Sequence, residues 1–172
     1  MFLLQFVMER TSIKNGAWQH NPYVGSDEAN GYSRAAIALI GFLGMTREES
    51  IYFVARTDDE GHPLTGECTY RVEGSFAQNE ARWWSITVYN TKNSKLIENE
   101  HDRYSFSGDT LPQHEDGSFA FRVSAAGNSG YWIPVQRDSD FDLTLRMYEP
   151  SPRAMHNPHE IRLPSITKEV CS

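Results

Sequence analysis

The sequence is poor in basic residues, in cysteine and in long apolar runs, and each shortage excludes a class of protein. Its 16 Lys and Arg residues are outnumbered by 23 Asp and Glu residues, which leaves a formal net charge of −7 at pH 7. An acidic chain is a poor candidate for binding nucleic acid or an anionic membrane surface, so we expect neither as a partner. The longest apolar runs, residues 2–8 and 35–45, fall short of the roughly 20 residues of a membrane-spanning helix.

The start of the chain does not have the features of a signal peptide. Residues 2–8 lack a basic flank, a long apolar segment and a small-residue cleavage site. We predict that residues 1–26 form an extended lead-in. This segment fits either a cytosolic chain or the remnant of a removed or truncated membrane anchor. The 172 residues suffice for one ordinary domain, which we place at residues 27–172.

The usual motifs for cofactors and metals are also missing. There is no P-loop, no glycine-rich dinucleotide turn and no HExxH. His156, His159 and Glu160 could face a metal, but Pro158 blocks the helical spacing that usually presents such ligands together. Residues 58–61, Asp-Asp-Glu-Gly, lack the ligand spacing of a calcium loop and predict a solvated turn. We therefore expect no metal and no cofactor.

Only two cysteines are present, Cys68 and Cys171. Their spacing excludes a CxxC redox motif, and two cysteines alone rarely form a zinc site. They could be two reduced, buried thiols, or one disulfide that ties the C-terminus to a strand. The residues alone leave both alternatives open.

Hydrophobic periodicity predicts one helix followed by a β-rich region. Ser26, Asp27 and Glu28 resemble a helix start, and Gly44 a helix end, so we predict a helix over residues 27–43. From residue 51 onward, apolar and polar residues alternate. The predicted strands span residues 51–57, 67–73, 82–89, 118–124 and 141–148, and the proline-bearing segment 149–165 is expected to end the sheet.

This pattern predicts a mainly β protein, an antiparallel sandwich or barrel on which the helix packs. One face of each strand should fill the core. The predicted inward set is Trp84, Ile86, Val88, Phe119, Phe121, Val123, Leu143 and Leu145.

The opposite faces of these strands carry arginines and aromatics, with Arg71 and Arg122 among the arginines, and also Thr87. Such a surface could clamp a small anionic or planar ligand through guanidinium contacts and stacking. The alternative is structural: the helix and the lead-in could cover this face, with each arginine capping carbonyls. The predicted ligand-binding residues are Trp83, Tyr89, Arg103, Arg146 and Tyr148.

Several segments resemble the domain-of-unknown-function 1214 family over about residues 58–150. The segment Arg82-Trp83-Trp84-Ser85-Ile86-Thr87-Val88-Tyr89 is similar to the family's aromatic-Trp-Ser-Leu-Thr-x-Tyr strand. Other similar segments are Leu64-Thr65-Gly66, Asn99 to Tyr104, Asp116-Gly117-Ser118, Trp132-Ile133-Pro134 and Leu145-Arg146-Met147-Tyr148. Asp102 stands where the family usually has Asn.

The resemblance implies a β-sandwich of jelly-roll type and supplies no settled activity or cofactor. Short members of the family often carry an N-terminal membrane anchor, which implies a location in the periplasm or cell envelope rather than the cytoplasm. That location favours the disulfide between Cys68 and Cys171.

Two functional hypotheses of different classes follow, beside a purely structural role. The first is a non-catalytic binding or interaction module for a small anionic or planar ligand, acting as a monomer or a small homo-oligomer. The second is a lyase or hydrolase with Arg146 or Arg103 as anion clamp and Asp102 or His101 as proton carrier. Because the sequence shows no clear nucleophile or paired carboxylates, we favour binding.

Overall fold

The computed structural model describes residues 12–22, 45–76, 80–112, 114, 116–127 and 130–171. These residues form ten strands and one short helix. In chain order they are β1 (Ile13–Asn15), β2 (Trp18–His20), β3 (Ser50–Ala55), β4 (Cys68–Ser75), β5 (Ala81–Asn90), β6 (Ser105–Ser107), β7 (Ser118–Ser124), β8 (Trp132–Pro134), β9 (Phe141–Pro150), α1 (Pro152–His156) and β10 (Ser165–Cys171).

The strands are arranged in two sheets, so the predicted mainly β architecture is confirmed. One sheet has six strands in the order β1-β2-β3-β9-β5-β6, and the other has four in the order β10-β4-β7-β8. All neighbours pair antiparallel except β7 and β8, where Arg122 lies beside Trp132 in a parallel pair.

Both ends of the described chain add strands to the sheets. Trp18 of β2 is buried, and its indole Nε1 donates a hydrogen bond to the Pro164 carbonyl at 2.7 Å.

The expectation that residues 149–165 end the sheet is wrong, because a further strand, β10, begins at Ser165 and pairs with β4. Prolines shape the connection instead. Pro152 begins α1, and the Ser151 hydroxyl caps that helix by accepting a hydrogen bond from the Ala154 N–H.

The predicted helix over residues 27–43 lies outside the described residues. Among the residues that are described, no helix is long and apolar enough to cross a membrane.

The core lies between the two sheets and contains the whole predicted inward set. All eight side chains, from Trp84 through Leu145, are buried. Trp84 stacks on Phe119 across the interface, with ring centroids 4.5 Å apart. Since β5 belongs to one sheet and β7 to the other, this aromatic pair joins the two layers.

Gly66 allows an unusually close approach between two loops. Its N–H donates to the Ser139 carbonyl at 2.8 Å. A Cβ at this position would lie 1.9 Å from the backbone oxygen of Gln136, a contact that no side chain could accommodate. Neighbouring Leu64 is fully buried, so the Leu64-Thr65-Gly66 segment has a structural role.

A disulfide joins Cys68 and Cys171 across the edge of the four-stranded sheet. The two residues are direct cross-strand partners of β4 and β10, their Cα atoms are 3.9 Å apart, and they are separated by 103 residues in sequence. The sequence alone was compatible with two free thiols or with one disulfide, and the structure contains the disulfide. A disulfide is typical of an oxidising, extracytoplasmic environment.

Replacing Trp84 with alanine should lower the free energy of unfolding by about 3–5 kcal/mol, because the change removes a buried indole and leaves a cavity against Phe119. Urea unfolding followed by circular dichroism measures this loss. Trp83→Ala is the matched control, since Trp83 is 36% exposed and should cost much less. Equal losses for the two variants would contradict the assignment of Trp84 to the core.

Breaking the disulfide should also destabilise the fold. The Cys68→Ser/Cys171→Ser double variant should lose about 2–4 kcal/mol of unfolding free energy, because the unfolded chain regains the freedom of a long closed loop. Urea midpoints of the oxidised protein, the reduced protein and the double variant provide the comparison. Identical midpoints for all three would show that the bond does not stabilise the fold.

Candidate functional site

The outer face of the six-stranded sheet is formed by the side chains of β3, β9 and β5 that lie opposite the core. Strand register aligns them in rows. The rows are Ser50–Tyr148–Trp83, Tyr52–Arg146–Ser85, Val54–Thr144–Thr87 and, at one end, Asp142–Tyr89. Four of the five predicted ligand-binding residues, Trp83, Tyr89, Arg146 and Tyr148, therefore share this face.

Arg146 is at the centre of this face and is half-buried. Its Nη2 donates to the Tyr89 hydroxyl at 2.8 Å, and its Nη1 donates to the Thr87 hydroxyl at 3.3 Å. The guanidinium carbon also lies 5.4 Å from the ring centroid of Tyr89 and 5.9 Å from that of Tyr52. Hydroxyls and aromatic rings thus fix the position and plane of the cation.

Asp142 lies at the end of the same face, as the cross-strand partner of Tyr89. Burial raises the pKa of Asp142 to about 6, even though Arg56, a hydrogen bond with Thr144 and Arg146 all act to lower it. The site therefore contains a carboxyl group that changes charge near pH 6, close to a guanidinium.

Trp83 and Tyr148 form a separate aromatic pair at the other end of the face. Their ring centroids are 5.2 Å apart, as expected for direct cross-strand neighbours. The indole Nε1 of Trp83 donates to Asp109 Oδ2 at 2.5 Å. The pair extends the face toward the start of β5.

Arg103 does not belong to this face. Its Nη1 donates to the Trp132 carbonyl at 3.2 Å, and its guanidinium carbon lies 5.0 Å from the Trp132 ring centroid. His101 packs edge-on against the same Trp132 ring. Asp102 accepts a hydrogen bond from the Tyr104 hydroxyl, which raises the pKa of Tyr104. Of the two acid–base candidates of the enzyme hypothesis, His101 therefore lies with Arg103 against Trp132, and Asp102 lies beside Tyr104.

Arg71 and Arg122 also lie elsewhere, on the four-stranded sheet. Arg122 forms a two-pronged ion pair with Glu169, and Arg71 pairs with Glu73 at 2.6 Å. The alternation of apolar and polar residues predicted that these two side chains face away from the core. It did not predict which of the two sheets carries them. Their charges are neutralised by neighbouring carboxylates, which distinguishes them from Arg146.

Tyr52, Asp142 and Thr144 are site residues that the sequence analysis did not single out. Alternation placed Asp142 and Thr144 on the same side as Arg146, but only strand register brings Tyr52 and Tyr89 against its guanidinium. Polar residues on this face, Ser50, Ser85, Thr87 and Thr144, are buried.

Comparisons with known proteins give the family and the fold. No curated protein matches this sequence. The structure is similar to the VPA0106 protein from Vibrio parahaemolyticus, with a TM-score of 0.67 and 24% identity over 83% of this chain and 36% of that one. It also resembles a putative uncharacterized protein from Burkholderia cenocepacia, with a TM-score of 0.51 and 16% identity over 99% of this chain and 40% of that one.

This chain therefore spans less than half the length of either structural relative. At these identities the likeness concerns the fold alone. The sequence evidence is more specific: a family model described as "Protein of unknown function (DUF1214)" matches residues 49–152, which extend from the start of β3 to the start of α1. The chain belongs to this DUF1214 family.

Proposed function

We propose that this protein is a non-catalytic binding module whose outer face holds a small, planar anion, with Arg146 as its anchor. The observation that carries the proposal is the set of partners of Arg146. Its guanidinium is held by two hydroxyls and two aromatic rings. Among the described residues, no carboxylate oxygen lies within ion-pair distance of it.

A half-buried guanidinium with no carboxylate at ion-pair distance among the described residues is costly, because neutral hydroxyls compensate only part of its lost hydration. Four other arginines of the described chain, Arg71, Arg82, Arg122 and Arg153, pair with glutamates. A buried structural arginine would be expected to bond backbone carbonyls or a carboxylate. Because the partners of Arg146 are neutral, its positive charge is available to bind an anion from outside the protein.

The aromatic residues favour a flat ligand. Tyr52 and Tyr89 flank the guanidinium, and Trp83 with Tyr148 lies one row away. A planar carboxylate or sulfonate could accept two parallel N–H bonds from Arg146 while its ring contacts a tyrosine. The expected ligand class is therefore an aromatic or conjugated anion.

We further propose that the protein acts in the periplasm or cell envelope and that its sandwich is of jelly-roll type. The disulfide supports the location. Repeated crossing of the chain between the two sheets, as in β3 to β4 to β5, supports the jelly roll. Alkylation of thiols in acid-quenched host cells tests the location, since cytoplasmic protein would be labelled at both cysteines.

Replacing Arg146 should change ligand binding without unfolding the protein. Arg146→Lys should weaken binding of benzenesulfonate by about tenfold, because the ammonium keeps the charge but loses the planar pair of donors. Arg146→Met should abolish binding. Ligand-observed NMR measures the affinities, and Arg82→Met is the control, because Arg82 is exposed and paired with Glu149.

The binding hypothesis fails if wild-type protein and Arg146→Met bind equally, or if no planar anion binds the wild type. It also fails if Arg146→Met mainly lowers the unfolding free energy, since Arg146 would then have a structural role. Native mass spectrometry of protein purified from its own host is the complementary measurement. A retained small anion supports the proposal, and turnover of that anion would favour the enzyme alternative.

Asp142 should make anion binding dependent on pH. Below about pH 6 its carboxyl group is protonated and neutral, whereas above that pH its negative charge repels an anion bound at Arg146. Benzenesulfonate keeps its charge throughout this range. It should bind roughly fivefold more tightly at pH 5 than at pH 8, since repulsion by one nearby unit charge in a solvated site contributes on the order of 1 kcal/mol.

The control for this prediction is Asp142→Asn, which removes the titrating carboxyl. The variant should bind with nearly the same affinity at pH 5 and pH 8. A pH dependence that persists in Asp142→Asn would show that another group causes it.

A further inference from the structure

The loop between β3 and β4 brings three metal-ligating side chains together, away from the outer face. Asp58, Glu60 and His62 each place one ligand atom so that all three lie within 4.8 Å of one another. His62 Nδ1 is 3.5 Å from Asp58 Oδ2 and also 3.5 Å from Glu60 Oε2. A tetrahedral Zn²⁺ with bonds of about 2.0–2.2 Å needs neighbouring ligand atoms roughly 3.3–3.6 Å apart. Two of the three separations therefore match that requirement without rearrangement.

The buried carboxylate of Asp58 is the independent sign of a ligand. Its side chain is only 1% exposed, and Oδ1 accepts hydrogen bonds from the backbone N–H groups of Glu60 and His62. Oδ2, which faces His62, accepts no hydrogen bond within the described part of the chain. The Lys168 ammonium balances its charge from 3.8 Å, which is beyond hydrogen-bond distance, and direct coordination to a metal ion would satisfy this oxygen more fully.

A cation already approaches this position. Lys168 of β10 places its Nζ 3.8 Å from Asp58 Oδ2 and 3.3 Å from His62 Nδ1. Ion-pair distance to one ligand atom and hydrogen-bond distance to a second show that the cluster attracts positive charge. The lysine side chain is long and partly exposed, so its ammonium group can move away when a metal ion enters.

The loop is also held in place before any ion binds. Asp59 fixes it to β10: its N–H donates to the Ile166 carbonyl at 3.0 Å, and its Oδ2 accepts from the Ile166 N–H at 2.9 Å. Within the loop, the Asp58 N–H donates to the His62 carbonyl at 2.9 Å. A rigid loop reduces the entropy lost on binding.

We propose that Asp58, Glu60 and His62 form a three-ligand site for a divalent transition-metal ion of the Zn²⁺ type, in competition with the Lys168 ammonium. Two carboxylate oxygens and one imidazole nitrogen suit Zn²⁺, whereas Ca²⁺ and Mg²⁺ prefer oxygen ligands alone. The exposed side chains of Glu60 and His62 leave the fourth position open to solvent. The site shares no residue with the outer face, so its existence does not depend on the proposed function.

Isothermal titration of the full, disulfide-bonded chain with ZnCl₂ tests the proposal, because the oxidised protein has no free thiols to bind zinc. We expect one Zn²⁺ per chain. Glu60→Gln and His62→Gln should each weaken binding by roughly tenfold or more, as expected for loss of a ligand. Both side chains are exposed, so neither change should disturb folding. His159→Gln is the matched control, because His159 also lies beside a glutamate but outside the loop.

The competition is tested by Lys168→Met, which should tighten Zn²⁺ binding by roughly tenfold through loss of the repulsive ammonium. Unchanged affinity in this variant would overturn the role of Lys168. The site itself is overturned if the wild type binds no Zn²⁺, or if Glu60→Gln and His62→Gln bind it as the wild type does. A parallel titration with CaCl₂ that gave the tighter binding would overturn the assignment to the zinc class.

Discussion

The antiparallel pairing of β5 with β9 is the constraint on which both the core and the candidate site depend. The two strands run side by side from Ala81 opposite Pro150 to Asn90 opposite Phe141. In this register, Trp84 and Ile86 face the core with Met147 and Leu145, while Ser85 and Thr87 lie beside Arg146 and Thr144. A slip of one residue would exchange the two faces. The buried apolar set therefore fixes the position of the arginine as firmly as it fixes the core.

The parts of the fold predicted from sequence are those with several alternating residues. The predicted segments 82–89, 118–124 and 141–148 each lie within an observed strand, because a strand buried on one face shows its period. Three-residue strands such as β6 and β8 are too short to show one. β10 escaped prediction for another reason: within it only Ile166 is buried, so pairing with β4 and the disulfide hold it in place.

The part of the candidate site that could be predicted from sequence is the part set by alternation within one strand. Alternation within β5 and β9 placed Trp83, Tyr89, Arg146 and Tyr148 on one face without knowledge of the pairing. The position of Tyr52 beside Arg146 follows from strand register, and the raised pKa of Asp142 follows from burial. A single sequence gives neither register nor burial. Arg103 lies apart from this face, in a loop before β6, where alternation says nothing about the direction of a side chain.

The residues that carry the family resemblance have largely structural roles. The resemblance therefore identifies the family and does not indicate an activity. Gly66 permits a backbone contact that a Cβ would block. Asn99 organises its loop by accepting from the N–H groups of His101 and Arg103 and donating to two carbonyls. Ile133 fills the core. Arg146 differs from these residues, because its guanidinium donates to the side-chain hydroxyls of Thr87 and Tyr89 and not to a backbone carbonyl or a carboxylate of the described residues. Its half-buried guanidinium, held by neutral hydroxyls and aromatic rings, is the feature on which the proposed ligand site rests.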